Sequence, residues 1–190
     1  MTPPDRQTGV ILLAAGRASR FGSDKLAARL DGRAIIEWAL LSAKALDGAR
    51  MAIVTGPGGP PCAIPTGWEI VVNQQPARGL SSSIIAGVKA LSSCERLVIA
   101  LGDMPFVSAT HLQQLAQMEG VAFTCQADGR KGCPAAFPRA MFPALLTLTG
   151  DRGAAALDCP GATILEPPST AMLVDIDTPE DLARETARRA

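Results

Sequence analysis

The chain has 190 residues, a formal net charge of zero and 47% hydrophobic residues, so it can bury the core of a single domain over residues 1–190. Its basic residues form no long run, which argues against a nucleic-acid-binding surface and against attraction to an anionic membrane. Because no apolar stretch is long enough to span a bilayer and the N-terminus lacks the apolar core of a signal peptide, we expect a cytoplasmic location.

Short apolar runs alternate along the chain with longer segments of helical periodicity. The runs predict strands at residues 10–14, 51–55, 70–72, 97–101, 121–125, 134–137 and 172–175. Apolar residues that recur at three- and four-residue steps predict helices at residues 34–46, 82–91, 111–118, 141–148 and 179–188. This alternation is typical of an α/β fold, in which helices cover the faces of a largely parallel sheet.

A glycine-bearing loop with three cations follows the first predicted strand. Gly16 permits a sharp turn, so that main-chain N–H groups can converge on anionic oxygens. Arg17, Arg20 and Lys25 add positive charge around that concavity. The spacing differs from that of a P-loop. We therefore predict a loop that holds the phosphates of a nucleoside triphosphate; in the alternative interpretation its glycines only shape a polar turn.

Carboxylates follow two of the predicted strands. Asp103 comes directly after the buried run at residues 97–101, and Asp175 and Asp177 close the last predicted strand, on one side of it by alternation. Thr178 is placed to cap the helix that follows. Mg²⁺ prefers hard oxygen ligands and is commonly held by one or two carboxylates together with substrate phosphates. The sequence thus predicts a magnesium site, against the alternatives of a turn-forming Asp103 and a helix-capping Asp177.

The single histidine and the five cysteines receive no catalytic role. His111 lies on a predicted amphipathic helix, where we expect a surface position. The cysteines are odd in number and form no Cys-x-x-Cys pair, which argues against a disulfide framework and against a thiolate zinc site. We expect reduced thiols that are mostly buried.

Six segments of the chain carry motifs of a known family. They are the loop from Leu13-Ala14-Ala15-Gly16 to Lys25, Gly79-Leu80-Ser81-Ser82-Ser83, Gly102-Asp103-Met104-Pro105, Gly132-Cys133-Pro134, Gly150-Asp151-Arg152-Gly153-Ala154, and Asp175-Ile176-Asp177-Thr178-Pro179-Glu180-Asp181. In these segments the chain resembles the nucleotidyltransferases of molybdenum-cofactor synthesis, and most closely the molybdenum cofactor cytidylyltransferases. The resemblance runs along nearly the whole sequence.

The resemblance implies a Rossmann-like nucleotidyltransferase fold, with a mostly parallel mixed sheet flanked by helices on both faces. It implies that an Mg²⁺-dependent enzyme moves CMP from CTP to the phosphate of a phosphorylated pterin, molybdopterin, and releases pyrophosphate. A molybdoenzyme or its maturation chaperone is implied as a further partner. Ala15 stands where the guanylyl branch of the family usually has glycine, and we hypothesise that its methyl group narrows the base pocket against a purine.

The resemblance also implies a role for particular residues. The nucleotide-binding set is Leu13, Ala14, Ala15, Gly16, Arg17, Lys25, Gly79, Ser81 and Ser82. The catalytic set is Lys25, Arg20 and Asp103, the metal ligands are Asp103, Asp177 and Asp175, and the acceptor-binding set is Arg130, Cys133 and Pro134. For residues 81–83, helix capping is the alternative interpretation. Cys133 and Ala155 depart from the usual family pattern on the acceptor side.

Two other functions fit the same motifs. A nucleotidyltransferase on this fold could use a sugar 1-phosphate as the acceptor, or GTP as the donor. From a different class, the chain could be a nucleotide- or cofactor-binding chaperone that has lost its chemistry, although the combination of Lys25, Asp103, Asp175 and Asp177 argues against this.

Overall fold

The computed structural model describes residues 7–16, 21 and 24–189. The strands are β1 (Thr8–Ala14), β2 (Arg29–Leu30), β3 (Arg33–Ala34), β4 (Arg50–Thr55), β5 (Trp68–Val72), β6 (Arg96–Leu101), β7 (Ala122–Cys125), β8 (Lys131–Pro138) and β9 (Thr163–Leu165). The α-helices are α1 (Ile35–Lys44), α2 (Leu80–Ala90), α3 (Ala109–Gln117), α4 (Phe142–Leu146) and α5 (Pro179–Arg189). Among these residues, no helix is both long and apolar enough to cross a membrane.

The main sheet is mixed, with strand order β5-β4-β1-β6-β8-β7-β9. β5, β4, β1 and β6 run parallel to one another, β8 runs antiparallel to both of its neighbours, and β9 is parallel to β7. β2 and β3 form a separate two-stranded hairpin. The predicted fold class, an α/β fold with a mostly parallel mixed sheet, is confirmed.

Helices cover both faces of the sheet because the strands of its centre are apolar on both sides. In β1, Val10 and Leu12 pack with residues of α1 and α3, while Ile11 and Leu13 pack with residues of α2 and α4. Each of these aliphatic side chains stabilises the fold by about 1.5–3 kcal/mol through burial. The two core layers leave the carboxyl ends of the parallel strands free to carry polar loops.

The predicted strand at residues 172–175 is wrong. A 3₁₀-helix covers Thr170–Leu173, and Ser169 caps it by accepting a hydrogen bond from the N–H of Ala171 at 3.2 Å. Of the apolar run, Met172 is buried and its neighbours are only partly covered. The local cap and the short buried stretch favour a turn over a strand. The edge strand β9 was missed, because its three residues are mostly exposed and carry little periodic signal.

The expected surface position of His111 is also wrong. Its side chain is 0% exposed, because it points from α3 toward β7 and bonds to Thr124. All five cysteines are free thiols, but Cys94 alone among them is buried and the other four are partly exposed. The expectation of mostly buried thiols is therefore wrong as well.

The start of α5 matches the predicted cap. Thr178 Oγ1 accepts a hydrogen bond from the N–H of Asp181 at 3.1 Å, and Asp181 Oδ2 accepts one from the N–H of Thr178 at 3.0 Å. This reciprocal pair satisfies N–H groups that the first helical turn leaves unpaired. It also fixes the direction of the chain just after Asp177.

Candidate active site

The carboxyl ends of β1 and β6 lie side by side at one edge of the sheet. Leu13 is paired with Leu101, and the N–H of Gly102 donates a hydrogen bond to the carbonyl oxygen of Leu13 at 2.9 Å. A Cβ on residue 102 would lie 3.1 Å from that oxygen, so glycine permits the close approach. The loop that begins at Ala15 therefore lies next to the loop that carries Asp103.

Lys25 bridges two of the predicted metal ligands at this edge. Its Nζ lies 2.7 Å from Oδ2 of Asp103 and 2.6 Å from Oδ1 of Asp177. The lysine side chain is 11% exposed, against 24% for Asp103 and 42% for Asp177. Asp24 presents the lysine, because its Oδ1 accepts a hydrogen bond from the N–H of Leu26 and caps the 3₁₀-helix Lys25–Ala27. Three side chains that are remote in sequence thus meet at one point.

A backbone hydrogen bond ties the segment with Asp177 to the loop with Asp103. The N–H of Ile176 donates to the carbonyl oxygen of Asp103 at 3.1 Å, and the Ile176 side chain is fully buried. Thr178 then begins α5. Asp177 is held between a buried anchor and a capped helix, and its carboxylate contacts Lys25 while Thr178 performs the capping.

At this point two carboxylates, those of Asp103 and Asp177, face a single ammonium, that of Lys25. Burial opposes a charge on Lys25, but the charges and hydrogen bonds of Asp103 and Asp177 together outweigh it and raise the pKa of the ammonium. Desolvation raises the pKa of the Asp175 carboxyl, and the charges of Asp177 and Asp103 raise it further. Asp175 is therefore close enough to add to the acidic character of the site, although Asp177 is the one that contacts the lysine.

The chemistry of these donors fits a hard divalent cation. The described residues contain no group of three or more His, Cys, Asp and Glu side chains that could hold a metal ion. Two carboxylates close enough to share one ammonium are nevertheless the protein contribution that Mg²⁺ commonly uses when substrate phosphates complete its coordination. Asp103 and Asp177 are the residues that could hold such an ion.

A cleft of about 420 Å³ opens beside this group of charges. Its lining includes seven residues of the predicted site, namely Leu13, Ala14, Ala15, Gly16, Lys25, Gly79 and Asp103. Ser83 and Asp151 also line it and were not assigned a role from the sequence. Asp151 belongs to a family motif, so that motif was the available signal. The expectations for Arg17 and Arg20 lie outside the described residues.

Ser81 and Ser82 lie beside the cleft and line a neighbouring groove. Ser82 Oγ donates a hydrogen bond to the carbonyl oxygen of Gly79 at 2.7 Å and accepts one from Nδ2 of Asn73 at 2.8 Å. Asn73 Nδ2 also contacts Oγ of Ser83 at 3.0 Å. The N-cap residue of α2 is Gly79, which has no side chain with which to cap the helix. The Ser82 hydroxyl therefore bonds to the turn at Gly79 and does not serve as the N-cap of α2.

Gly79 brings two loops of the cleft into contact. Its φ of 90° lies in the left-handed region, and a Cβ at this position would overlap the backbone of Gly150 and approach Oδ1 of Asp151 to 2.6 Å. The N–H of Ser81 donates to the carbonyl oxygen of Gly150 at 3.1 Å. The absence of a side chain at residue 79 thus places Asp151 at the cleft.

Replacing Gly79 by alanine is expected to lower the free energy of unfolding by about 2–4 kcal/mol, because the backbone torsion and the overlap both act against a Cβ. Gly129→Ala is the matched control, since Gly129 has a φ of 78° but nothing within 4 Å of the new Cβ. Urea denaturation of both variants measures the difference. Equal losses in the two variants would contradict the close packing at residue 79.

The three predicted acceptor-binding residues fall in two places. Arg130 lies at the tip of the β7–β8 hairpin, where its side chain is 84% exposed and its Nε donates to Oδ2 of Asp128 at 2.6 Å. Cys133 and Pro134 lie at the edge where β6 ends, because β8 starts there and runs antiparallel to β6. Desolvation raises the pKa of the Cys133 thiol to about 12, with a further contribution from the charge of Asp103.

Comparisons with known proteins agree on one type of domain. A sequence profile of the MobA-like NTP transferase domain matches residues 10–159. The purine catabolism protein PucB of Bacillus subtilis (strain 168) is 31% identical over 197 residues, which cover 95% of this chain and 95% of PucB. A probable molybdenum cofactor guanylyltransferase of Chloroflexus aggregans is 32% identical over 110 residues, which cover 56% of this chain and 51% of that protein.

Solved structures share the arrangement of the sheet and helices. Rv0371c from Mycobacterium tuberculosis H37Rv superposes with a TM-score of 0.81 at 23% identity, over 95% of this chain and 97% of that one. A structure of Rv0371c in complex with manganese superposes with a TM-score of 0.76 at 21% identity, over 95% and 98% of the two chains. At such identities the likeness concerns the fold.

Proposed function

This chain is a nucleotidyltransferase that belongs to the MobA-like NTP transferase family, and we propose that it moves CMP from CTP to the phosphate of molybdopterin. Pyrophosphate is the second product, and Mg²⁺ is the metal. The observation that carries the proposal is the convergence of Lys25, Asp103 and Asp177 beside the cleft. We propose a single domain over residues 1–190, in which the loop after β1 contributes Lys25 and the segment before α5 contributes Asp177.

The proposed metal site uses Asp103 and Asp177. Both carboxylates already face one cation, the ammonium of Lys25, and Asp175 adds negative charge nearby. The manganese complex of a protein with the same fold supports a divalent cation here. When bound, Mg²⁺ would neutralise charge that develops on the transferring phosphate and on the leaving pyrophosphate.

In the proposed reaction, the residues of the chain orient the reactants and stabilise charge. A phosphate oxygen of the acceptor forms a bond to the α-phosphorus of CTP, and the bond from that phosphorus to the oxygen bridging to the β-phosphate breaks. The electron pair leaves with pyrophosphate. Because the acceptor phosphate is already ionised at neutral pH, the step needs no general base. Lys25, released from the carboxylates, would bind the phosphates of CTP and stabilise the charge that builds on them.

The choice of CTP rests on Ala15. This residue is buried, lies in the wall of the cleft beside Lys25, and also lines an adjoining open cleft of about 890 Å³. We infer that a methyl group at this position, in place of the glycine of the guanylyl branch, narrows the wall of the cleft against the larger purine. The guanylyltransferase relative favours the alternative donor, GTP.

The test is pyrophosphate release from CTP and from GTP, each with molybdopterin and with a sugar 1-phosphate. We expect turnover with CTP and molybdopterin to exceed the other three combinations by at least about tenfold in kcat/KM. Faster turnover with the sugar 1-phosphate than with molybdopterin would show that the acceptor is a sugar phosphate and contradict the proposed pterin acceptor. CTP binding without pyrophosphate from either acceptor would favour the non-catalytic alternative.

Ala15→Gly is the variant matched to the donor choice. Removing one methyl group should raise kcat/KM for GTP and leave that for CTP within about threefold, because one methylene-sized contact contributes about 1–3 kcal/mol to discrimination. Wild-type protein that used GTP as readily as CTP would remove the steric argument.

The choice of a pterin acceptor is supported by the relative named as a probable molybdenum cofactor guanylyltransferase. A molybdoenzyme or its maturation chaperone is proposed as the recipient of the product.

A further inference from the structure

A β-bulge interrupts the pairing of β7 and β8 beside the candidate active site. Phe123 is paired with Ala135, but the next residue of β7, Thr124, is paired with Gly132. Cys133 and Pro134 therefore lie in the bulge, outside the matched ladder, and Pro134 has no N–H to donate. Their carbonyl oxygens need partners from elsewhere, because buried carbonyl groups are costly when unpaired.

Two side chains of the β7 region supply these partners. Thr124 Oγ1 donates to the carbonyl oxygen of Pro134 at 2.6 Å, and Gln126 Nε2 donates to that of Cys133 at 3.1 Å. A Cβ on Gly132 would lie 2.5 Å from the Gln126 side chain, so the glycine leaves room for this amide. The bulge is thus held from one side by a hydroxyl and an amide.

His111 fixes the hydroxyl of Thr124. Its Nε2 lies 2.8 Å from Thr124 Oγ1, and both side chains are fully buried. The single hydroxyl proton is used on the carbonyl oxygen of Pro134, which can only accept. His111 must therefore donate from Nε2, which makes it the neutral Nε2–H tautomer. Its Nδ1 has no partner among the described residues, so a second proton there would be a buried, unpaired donor.

We propose that His111 and Thr124 are positioning residues, which hold the bulge at Cys133 and Pro134 in place beside Asp103 and thereby shape the acceptor side of the active site. This inference rests on the proposed function, which places the acceptor next to these two residues. The donor side of the site is built by other elements, namely the loop after β1 and the turn at Gly79. Loosening the bulge should therefore weaken binding of the acceptor and leave binding of CTP unchanged.

The test compares Thr124→Val, which has nearly the same shape but no hydroxyl, with Thr124→Ser, which keeps the hydroxyl. The first readout is the rate at which iodoacetamide alkylates Cys133, followed by peptide mass spectrometry with Cys159 as the internal reference. We expect Thr124→Val to speed alkylation by about tenfold and Thr124→Ser to leave it within about twofold of wild type. Equal rates in the two variants would overturn the proposal.

The second readout is kinetic and uses CTP and molybdopterin. The KM for molybdopterin should rise by about tenfold in Thr124→Val, while the KM for CTP stays within about twofold of wild type. In Thr124→Ser both KM values should stay close to those of wild type. Parallel changes in both KM values would contradict a positioning role on the acceptor side. If wild-type protein shows no turnover with molybdopterin, the proposed function fails while the alkylation readout still decides whether the bulge is held as inferred.

A second pair of variants covers the case in which Thr124→Val does not fold. His111→Gln keeps a donor at a reach similar to that of Nε2, whereas His111→Leu removes it. Faster alkylation of Cys133 in His111→Leu than in His111→Gln would support the proposal, and equal rates would overturn it. In the wild type, the ¹⁵N chemical shifts of the imidazole should be those of a neutral Nε2–H ring, and the opposite tautomer would contradict the proton assignment.

Discussion

Asp103→Asn is expected to lower kcat by about 10²–10³, because it removes a charge from the position where the proposed metal ion and the nucleotide phosphates would meet. The asparagine has nearly the same shape, so the backbone bond from Ile176 and the packing of the loop should persist. The half-saturating Mg²⁺ concentration should rise in parallel, since one of the two carboxylates that face Lys25 is lost. Pyrophosphate release at several Mg²⁺ concentrations measures both effects.

The control for this experiment is Asp47→Asn, which neutralises an exposed carboxylate and should leave turnover unchanged. Thermal unfolding of both variants establishes that the fold is retained. Near-normal turnover in Asp103→Asn would remove Asp103 from the metal site and, with it, the central part of the proposed function.

Lys25→Met should have two opposite effects. Turnover should fall by about 10²–10³, because the variant lacks the cation that the proposal places on the phosphates. Affinity for Mn²⁺ without nucleotide should rise by about tenfold or more, because the ammonium lies between Asp103 and Asp177, where a metal ion would bind. Nucleotide phosphates would normally draw the lysine away, so that the metal and the nucleotide bind together.

Electron paramagnetic resonance of free Mn²⁺, titrated with nucleotide-free protein, measures this affinity directly. Lys44→Met is the control, because it removes an exposed lysine outside the cleft and should alter neither metal binding nor turnover. A misfolded variant would lose both properties, so the combination of weaker turnover and tighter Mn²⁺ binding identifies the expected mechanism. Unchanged Mn²⁺ affinity would show that the ammonium does not compete with the metal.

The sequence contained enough information to place the central strands and the edge that carries the site. The buried runs of β1, β4 and β6 are continuous and apolar, so their assignment follows from periodicity and composition. Asp103 follows one such run and Lys25 follows another. Because carboxyl ends of parallel strands share one edge, their proximity could be predicted without knowledge of the strand order.

Other features depend on contacts that periodicity does not report. The run at residues 172–175 is apolar enough for a strand, but Ser169 caps a local turn and Ile176 makes the long-range bond instead. His111 is polar on a helix, yet its partner Thr124 lies 13 residues further along the chain, on β7. The β7–β8 bulge arises from the pairing of two strands, so neither strand reveals it alone.

The reversed direction of β8 has a consequence for how enzymes built on this sheet can diversify. The loops that leave β1 and β6 at their carboxyl ends carry Lys25 and Asp103, whereas Cys133 and Pro134 lie at the beginning of β8. Two independent stretches of chain thus reach the same edge from opposite directions. Under the proposed function, insertions or substitutions in the β7–β8 hairpin would alter acceptor preference while the loops after β1 and β6 keep their geometry.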